Sequence, residues 1–200
     1  MFDTIEIEDA ADTETETETT TETETATVTE TETETETETD TGDQAITDDE
    51  LLDAVTVYDD VPAPPDFATH VEGTVDYEQD PPAGGDHAGD WQSCGFYDEP
   101  VINEQAVHSL EHGAVWITYD PELPEEDIAA LEELADGQTH LLISPYEDLP
   151  SPIVASAWGV QLEIEGVDDP YLPAFIDFFL EGPQTPEPGA PCEGGSSETA

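Results

Sequence analysis

The chain has 200 residues, 53 of them Asp or Glu and none Lys or Arg, giving a formal net charge of −53 with neutral His. About 25 basic residues would be ordinary at this length. Without a cationic side chain the protein has nothing to neutralise phosphates, which argues against nucleic-acid binding and against docking on anionic lipid.

The same bias makes cations the expected partners. A buried carboxylate here has no Lys or Arg to pair with, so it must use backbone N–H groups, hydroxyls, a proton or a bound cation. The pattern is halophilic-like, and deliberate removal of basic residues would produce it equally. Self-repulsion opposes compaction in dilute salt, whereas at about 1 M salt the Debye length falls to about 3 Å. The melting midpoint, followed by circular dichroism, is therefore expected to rise from low to molar salt; a flat midpoint would contradict this.

The first residues, Met1 to Glu6, lack the basic region and apolar stretch of a signal peptide. No run approaches the roughly 18 apolar residues of a membrane span. From Thr13 to Thr41 the chain is almost pure Thr-Glu alternation. A strand built from it would carry a ladder of like charges on one face, so the low-complexity tail reads as a disordered, extended spacer. Asp48 to Asp59 reads as a short helix or a segment laid on the domain, and Val61-Pro62-Ala63-Pro64-Pro65 as a stiff connector. The predicted organisation is thus an acidic tail and linker at 1–66, a mixed α/β domain at 67–192 and a flexible C-terminal tail at 193–200.

Within the domain, Val71 to Tyr77 has strand character. Asp80 to His87 is Pro- and Gly-rich and reads as a turn. Asn103 is placed to cap a short helix through His112, which Gly113 would stop. Ala114 to Tyr119 reads as a strand. The next helix has Pro124 in its first turn, acids at Glu125, Glu126 and Asp127, and an apolar face of Ile128, Leu131, Leu134 and Ala135. Thr139 to Ser144 and Val154 to Ile164 read as one strand each. A last helix starts at Asp169-Pro170, buries Leu172, Phe175, Ile176 and Phe179, and stops at Gly182-Pro183. The fold class is α/β (α+β): a small mixed sheet with two main packing helices and a short His-bearing helix. The strand-helix-strand unit from Ala114 to Ser144 predicts two parallel strands.

Four segments carry a family resemblance: Pro81-Pro82-Ala83-Gly84-Gly85-Asp86-His87, Cys94 to Pro100, Val107-His108-Ser109-Leu110-Glu111-His112-Gly113-Ala114-Val115, and Ser156-Ala157-Trp158-Gly159. Over about residues 67–192 the chain resembles the domain-of-unknown-function family DUF3105. Members of that family commonly sit outside the cytoplasmic membrane behind an N-terminal anchor, which implies an extracytoplasmic location. The resemblance implies no activity. The chain departs from the family in lacking the anchor, in reading Ala-Gly-Gly-Asp before His87 where Ser-Gly-Pro is usual, and in lacking all basic residues.

Chemistry concentrates at one loop and one helix. His108 and His112 stand at i and i+4, on one helical face, a spacing that suits a metal. With Glu111 they form His-x-x-Glu-His, the inverted zinc-protease pattern, in which the Glu would be the catalytic base. The helix is short and the domain small for that class. His87 could reach the same face as a third ligand, and three imidazoles suit zinc or copper. Cys94 or Glu111 is the candidate fourth ligand. His70 and His140 read as peripheral. Against the metal site stands a purely structural network of the same groups. Cys94 and Cys192 both lie in loop-like segments, and a disulfide between them would tie the Pro-rich C-terminal segment to the loop before the His helix, favouring an oxidising compartment. The alternative leaves Cys94 a free thiol or ligand. The sequence therefore points first to a non-enzymatic extracytoplasmic binding domain with a transition-metal site, next to a small metal-dependent hydrolase, and third to a structural surface domain on an acidic stalk.

Overall fold

The computed structural model describes residues 45–62 and 69–200. The Thr/Glu spacer and the domain start at Phe67 lie outside the described residues. In chain order the elements are α1 (Asp48–Ala54), β1 (Thr56–Val57), β2 (Gly95–Phe96), α2 (Asn103–Glu111), β3 (Val115–Tyr119), α3 (Glu125–Ala135), β4 (Leu141–Pro145), β5 (Ile153–Ala157), β6 (Val160–Ile164) and α4 (Tyr171–Phe179). The strands form one mixed sheet in the order β1-β6-β5-β3-β4-β2. β4 runs parallel to both β3 and β2, while β3–β5, β5–β6 and β6–β1 are antiparallel. The fold is α+β.

Both faces of the sheet are covered, as the uninterrupted burial of β3, β4 and β5 requires. Side chains alternate along a strand. Val115, Ile117 and Tyr119 thus join a core with Leu131 of α3 and Leu172, Phe175, Ile176 and Phe179 of α4. Trp116, between them, points the other way, into a cluster with Ala106, Val107 and Leu110 of α2 and with Trp158. Complete burial of Phe175 alone contributes about 1.5–3 kcal/mol. α2 therefore rides on one face of the sheet and presents its other side to the loops that follow β1.

Local chemistry explains the helix ends. Thr47 and Glu50 form a reciprocal capping box on α1. Pro124 precedes three acids in the first turn of α3. Gly113 ends α2 at φ +103°, and a Cβ there would lie 3.0 Å from the Glu181 Cα. That close approach lets Glu181 N–H donate to the Gly113 carbonyl at 2.8 Å, joining the end of α4 to the end of α2.

Several expectations need correction. The short helix expected within Asp48 to Asp59 is α1, but the segment is part of the fold rather than of a linker: Leu51 is buried in the core, and β1 pairs with β6 as an edge strand. Val71 to Tyr77 is not a strand; the pairing there is an isolated bridge between His70 and His87. The expected strand at 154–164 is the hairpin β5–β6, turning at Trp158-Gly159 with Gly159 at φ +73°. Asn103 does not cap α2; its side-chain amide donates to the Tyr146 hydroxyl at 3.2 Å, and Ile102 holds the N-cap position. Residues 193–200, expected as a flexible tail, are bonded in: Ser93 N–H donates to the Ser196 carbonyl, Ser196 N–H to the Trp91 carbonyl and Ala200 N–H to the Pro100 carbonyl. Among the described residues no helix is long and apolar enough to cross a membrane.

Candidate metal centre

One face of α2 carries Glu104, His108 and Glu111, at i, i+4 and i+7, and all three are buried. Glu104 fastens the covering loop by accepting Val75 N–H at 2.8 Å, while its own carbonyl accepts Ala88 N–H at 3.1 Å. The turn at 80–87 is held from the β5–β6 side. Gly159 N–H donates to the Ala83 carbonyl at 2.7 Å and the Gln161 amide to the Pro81 carbonyl at 2.8 Å. Gly84 sits where a Cβ would meet the Val61 Cγ1 at 2.5 Å, so the loop closes over the sheet edge only with glycine there. These constraints deliver His87, completely buried, above the α2 face.

His70 arrives from a different direction. Val71 N–H donates to the His87 carbonyl at 2.8 Å and His87 N–H to the Thr69 carbonyl at 3.2 Å, so the backbone around His70 runs beside His87. Asp86 adds a side-chain bond to Thr69 N–H at 2.8 Å. The result is a cluster of His70, His87, His108 and Glu111 whose ligand atoms all lie within 4.8 Å of one another. The Glu111 Oε2 is 3.0 Å from the Nε2 of His87, 3.8 Å from that of His70 and 3.9 Å from that of His108.

The hydrogen bonds on the far sides of the rings fix their tautomers. His87 Nδ1 is 2.8 Å from the Gly85 carbonyl and His108 Nδ1 is 2.9 Å from the Ala88 carbonyl. A carbonyl only accepts, so both Nδ1 atoms carry the proton, and in the neutral rings each Nε2 offers a lone pair. Metal-binding imidazoles are ordinarily held with one nitrogen anchored to the backbone; the other nitrogen of His87 lies within hydrogen-bond distance of the Glu111 Oε2, at 3.0 Å.

Charge sharpens the point. Burial would raise the Glu111 carboxyl, but the His87 hydrogen bond and the positive potential of His87, His108 and His70 outweigh it and hold the group below its ordinary value. Burial first, then His112 and His87, pushes His108 down to about 4 against the Ala88 bond. At neutral pH a carboxylate thus faces a neutral His108 lone pair in a buried setting. A proton on His87 would close the 3.0 Å contact but leave the 3.8 and 3.9 Å approaches of His70 and His108 without a partner. The four groups together could hold a metal ion.

The other candidates lie elsewhere. His112 is beside His108, with ring centroids 4.5 Å apart, but it is outside the convergent set. Its Nδ1 donates to the Pro191 carbonyl at 2.8 Å and its Nε2 stands 3.9 Å from the Glu187 Oε2. Cys94 is bonded to Cys192, with Cα atoms 5.4 Å apart, and its sulfur is therefore not available as a fourth ligand. His140 is satisfied at both nitrogens, by the Thr139 hydroxyl and the Ala190 carbonyl. His70, which sequence reading placed at the periphery, is brought in by a bridge to His87 across the loop between them. No spacing rule signals that contact.

A mixed-sheet α+β domain with a buried His/Glu cluster under a Gly-rich loop is the class that fold and site define. A profile of the family described as "Protein of unknown function (DUF3105)" matches residues 70–194, which include the cluster, and the chain belongs to that family. No curated protein and no solved structure matches it.

Proposed function

We propose that this is an extracytoplasmic, non-enzymatic domain that binds one transition-metal cation, zinc or copper, through His70, His87, His108 and Glu111. The observation that carries the reading is the convergence of three imidazole Nε2 atoms on one buried carboxylate oxygen, with two of the rings anchored through Nδ1. Three nitrogens and one oxygen make a four-coordinate set of the kind zinc accepts, and imidazole suits copper equally. The Cys94–Cys192 bond supports an oxidising compartment.

Hydrolysis would need Glu111 behind a metal-bound water, with both His108 and His112 on the metal. Glu111 instead lies within the convergent donor set, and His112 turns towards Pro191. A cleft of about 530 Å³ lined by Val75, Ile102, Glu104 and Tyr146 opens beside the start of α2, and none of the cluster residues lines it.

Glu111→Gln tests the assignment. As a ligand, Glu111 supplies the negative charge of the site, so the variant is expected to bind zinc at least about tenfold more weakly by titration calorimetry. Affinity equal to that of the unaltered chain would remove Glu111 from the ligand set and return it to the role of a base.

A further inference from the structure

We propose that His70 is the displaceable ligand of this centre: the ion is loaded and released through the position His70 holds, and that position accepts a neutral nitrogen donor from solution. The inference rests on the metal-binding reading above.

Three observations separate His70 from the other donors. The first is exposure: the His70 side chain is 56% exposed, against 0% for His87, 6% for His108 and 4% for Glu111. Of the four donors, only His70 is exposed. The second is anchoring. His87 and His108 are oriented by Nδ1 bonds to backbone carbonyls, whereas among the described residues the His70 ring has no hydrogen bond. An outer partner fixes a ligand's direction and raises its basicity, so His70 is the weakest and quickest to leave. The third is support: His108 stands on α2 and His87 in the packed loop, whereas His70 lies outside any helix or strand and its backbone is tied to the fold by the bridge to His87 and the Thr69–Asp86 bond.

With His70 bound, the donor set is closed. With His70 swung away, two imidazoles and a carboxylate remain, with one coordination place facing water; sites that react or exchange keep such a place, and structural sites do not. The surroundings select what enters. With a formal charge of −53, the chain repels anionic donors at low salt. A neutral imidazole meets no such barrier.

The test uses the full chain loaded with cobalt(II), whose visible spectrum reports coordination number. His70→Ala is expected to keep one cobalt per chain, to lose the four-coordinate spectrum and to regain it on addition of imidazole. Release of cobalt to a chelator should be about tenfold faster or more in this variant. His87→Ala should lose the bound cobalt. The inference is overturned if His70→Ala leaves spectrum and release rate unchanged, or if it loses cobalt as completely as His87→Ala. Failure of the unaltered chain to take up cobalt or zinc would instead remove the metal reading itself, a distinct result. Because His70 is exposed, its alanine variant should keep the circular-dichroism spectrum of the unaltered chain.

Discussion

His87→Ala is expected to cost about 2–4 kcal/mol of folding stability and to abolish zinc uptake. The ring is among the largest completely buried side chains. Its removal leaves a cavity between the loop and α2, an unpaired carbonyl at Gly85 and a buried Glu111 carboxylate without its 3.0 Å partner. No Lys or Arg exists to take over that charge. Urea unfolding of the metal-free variant in molar salt measures the first part and calorimetric titration with zinc the second. A loss below about 0.5 kcal/mol, the range of ordinary surface substitutions, together with undiminished zinc binding, would contradict the assignment of His87.

The second large effect is expected at the disulfide. Cys94 and Cys192 are 98 positions apart, and closing a loop of that length restricts the unfolded chain by about 4–5 kcal/mol in the chain-entropy account. The native contacts it secures are also specific. Cys94 N–H donates to the Cys192 carbonyl at 2.9 Å, and His112 and His140 donate to the adjoining Pro191 and Ala190 carbonyls. The double variant Cys94→Ser, Cys192→Ser should therefore unfold at much lower urea, and reductant should move the unaltered chain in the same direction. Coincident unfolding curves with and without reductant would refute the estimate.

What could be read in the sequence follows the range of the interactions involved. α3 and α4 announce themselves through local periodicity and end signals, Pro124 with its acids and Asp169-Pro170 with its apolar face. The parallel pair β3–β4 follows from a strand-helix-strand unit within a short stretch. The β5–β6 hairpin did not show, because both faces of β5 are buried and most of β6 is, which erases the alternation that marks a half-exposed strand. Trp158-Gly159 also lacks the Asn-Gly or Asp-Gly signature of a tight hairpin turn. α1 was legible, since Asp48 to Asp59 reads as a short helix or a segment laid on the domain, whereas β1, only two residues long, carries no alternation that would mark it as a strand.

The site divides in the same way. His108 and Glu111 are legible because helical spacing puts them on one face, and His87 because its Gly-rich loop is short and precedes that helix. His112 shares the spacing, yet it stands at the helix C-cap, where a carbonyl 79 positions away takes its Nδ1. His70 depends on a bridge to His87 between two loop segments, which leaves no periodic trace. Helical spacing identifies which side chains can meet; the loop closure decides which of them do.

X-ray absorption at the zinc edge, on the full chain loaded with one equivalent of zinc in molar salt, tests the central claim most directly. Molar salt screens adventitious binding to the 53 carboxylates. The account predicts one tightly held zinc with three imidazole nitrogens and one carboxylate oxygen at about 2.0–2.2 Å and no sulfur. Zinc bound only by oxygens, or washed out of the chain by molar salt, would contradict it.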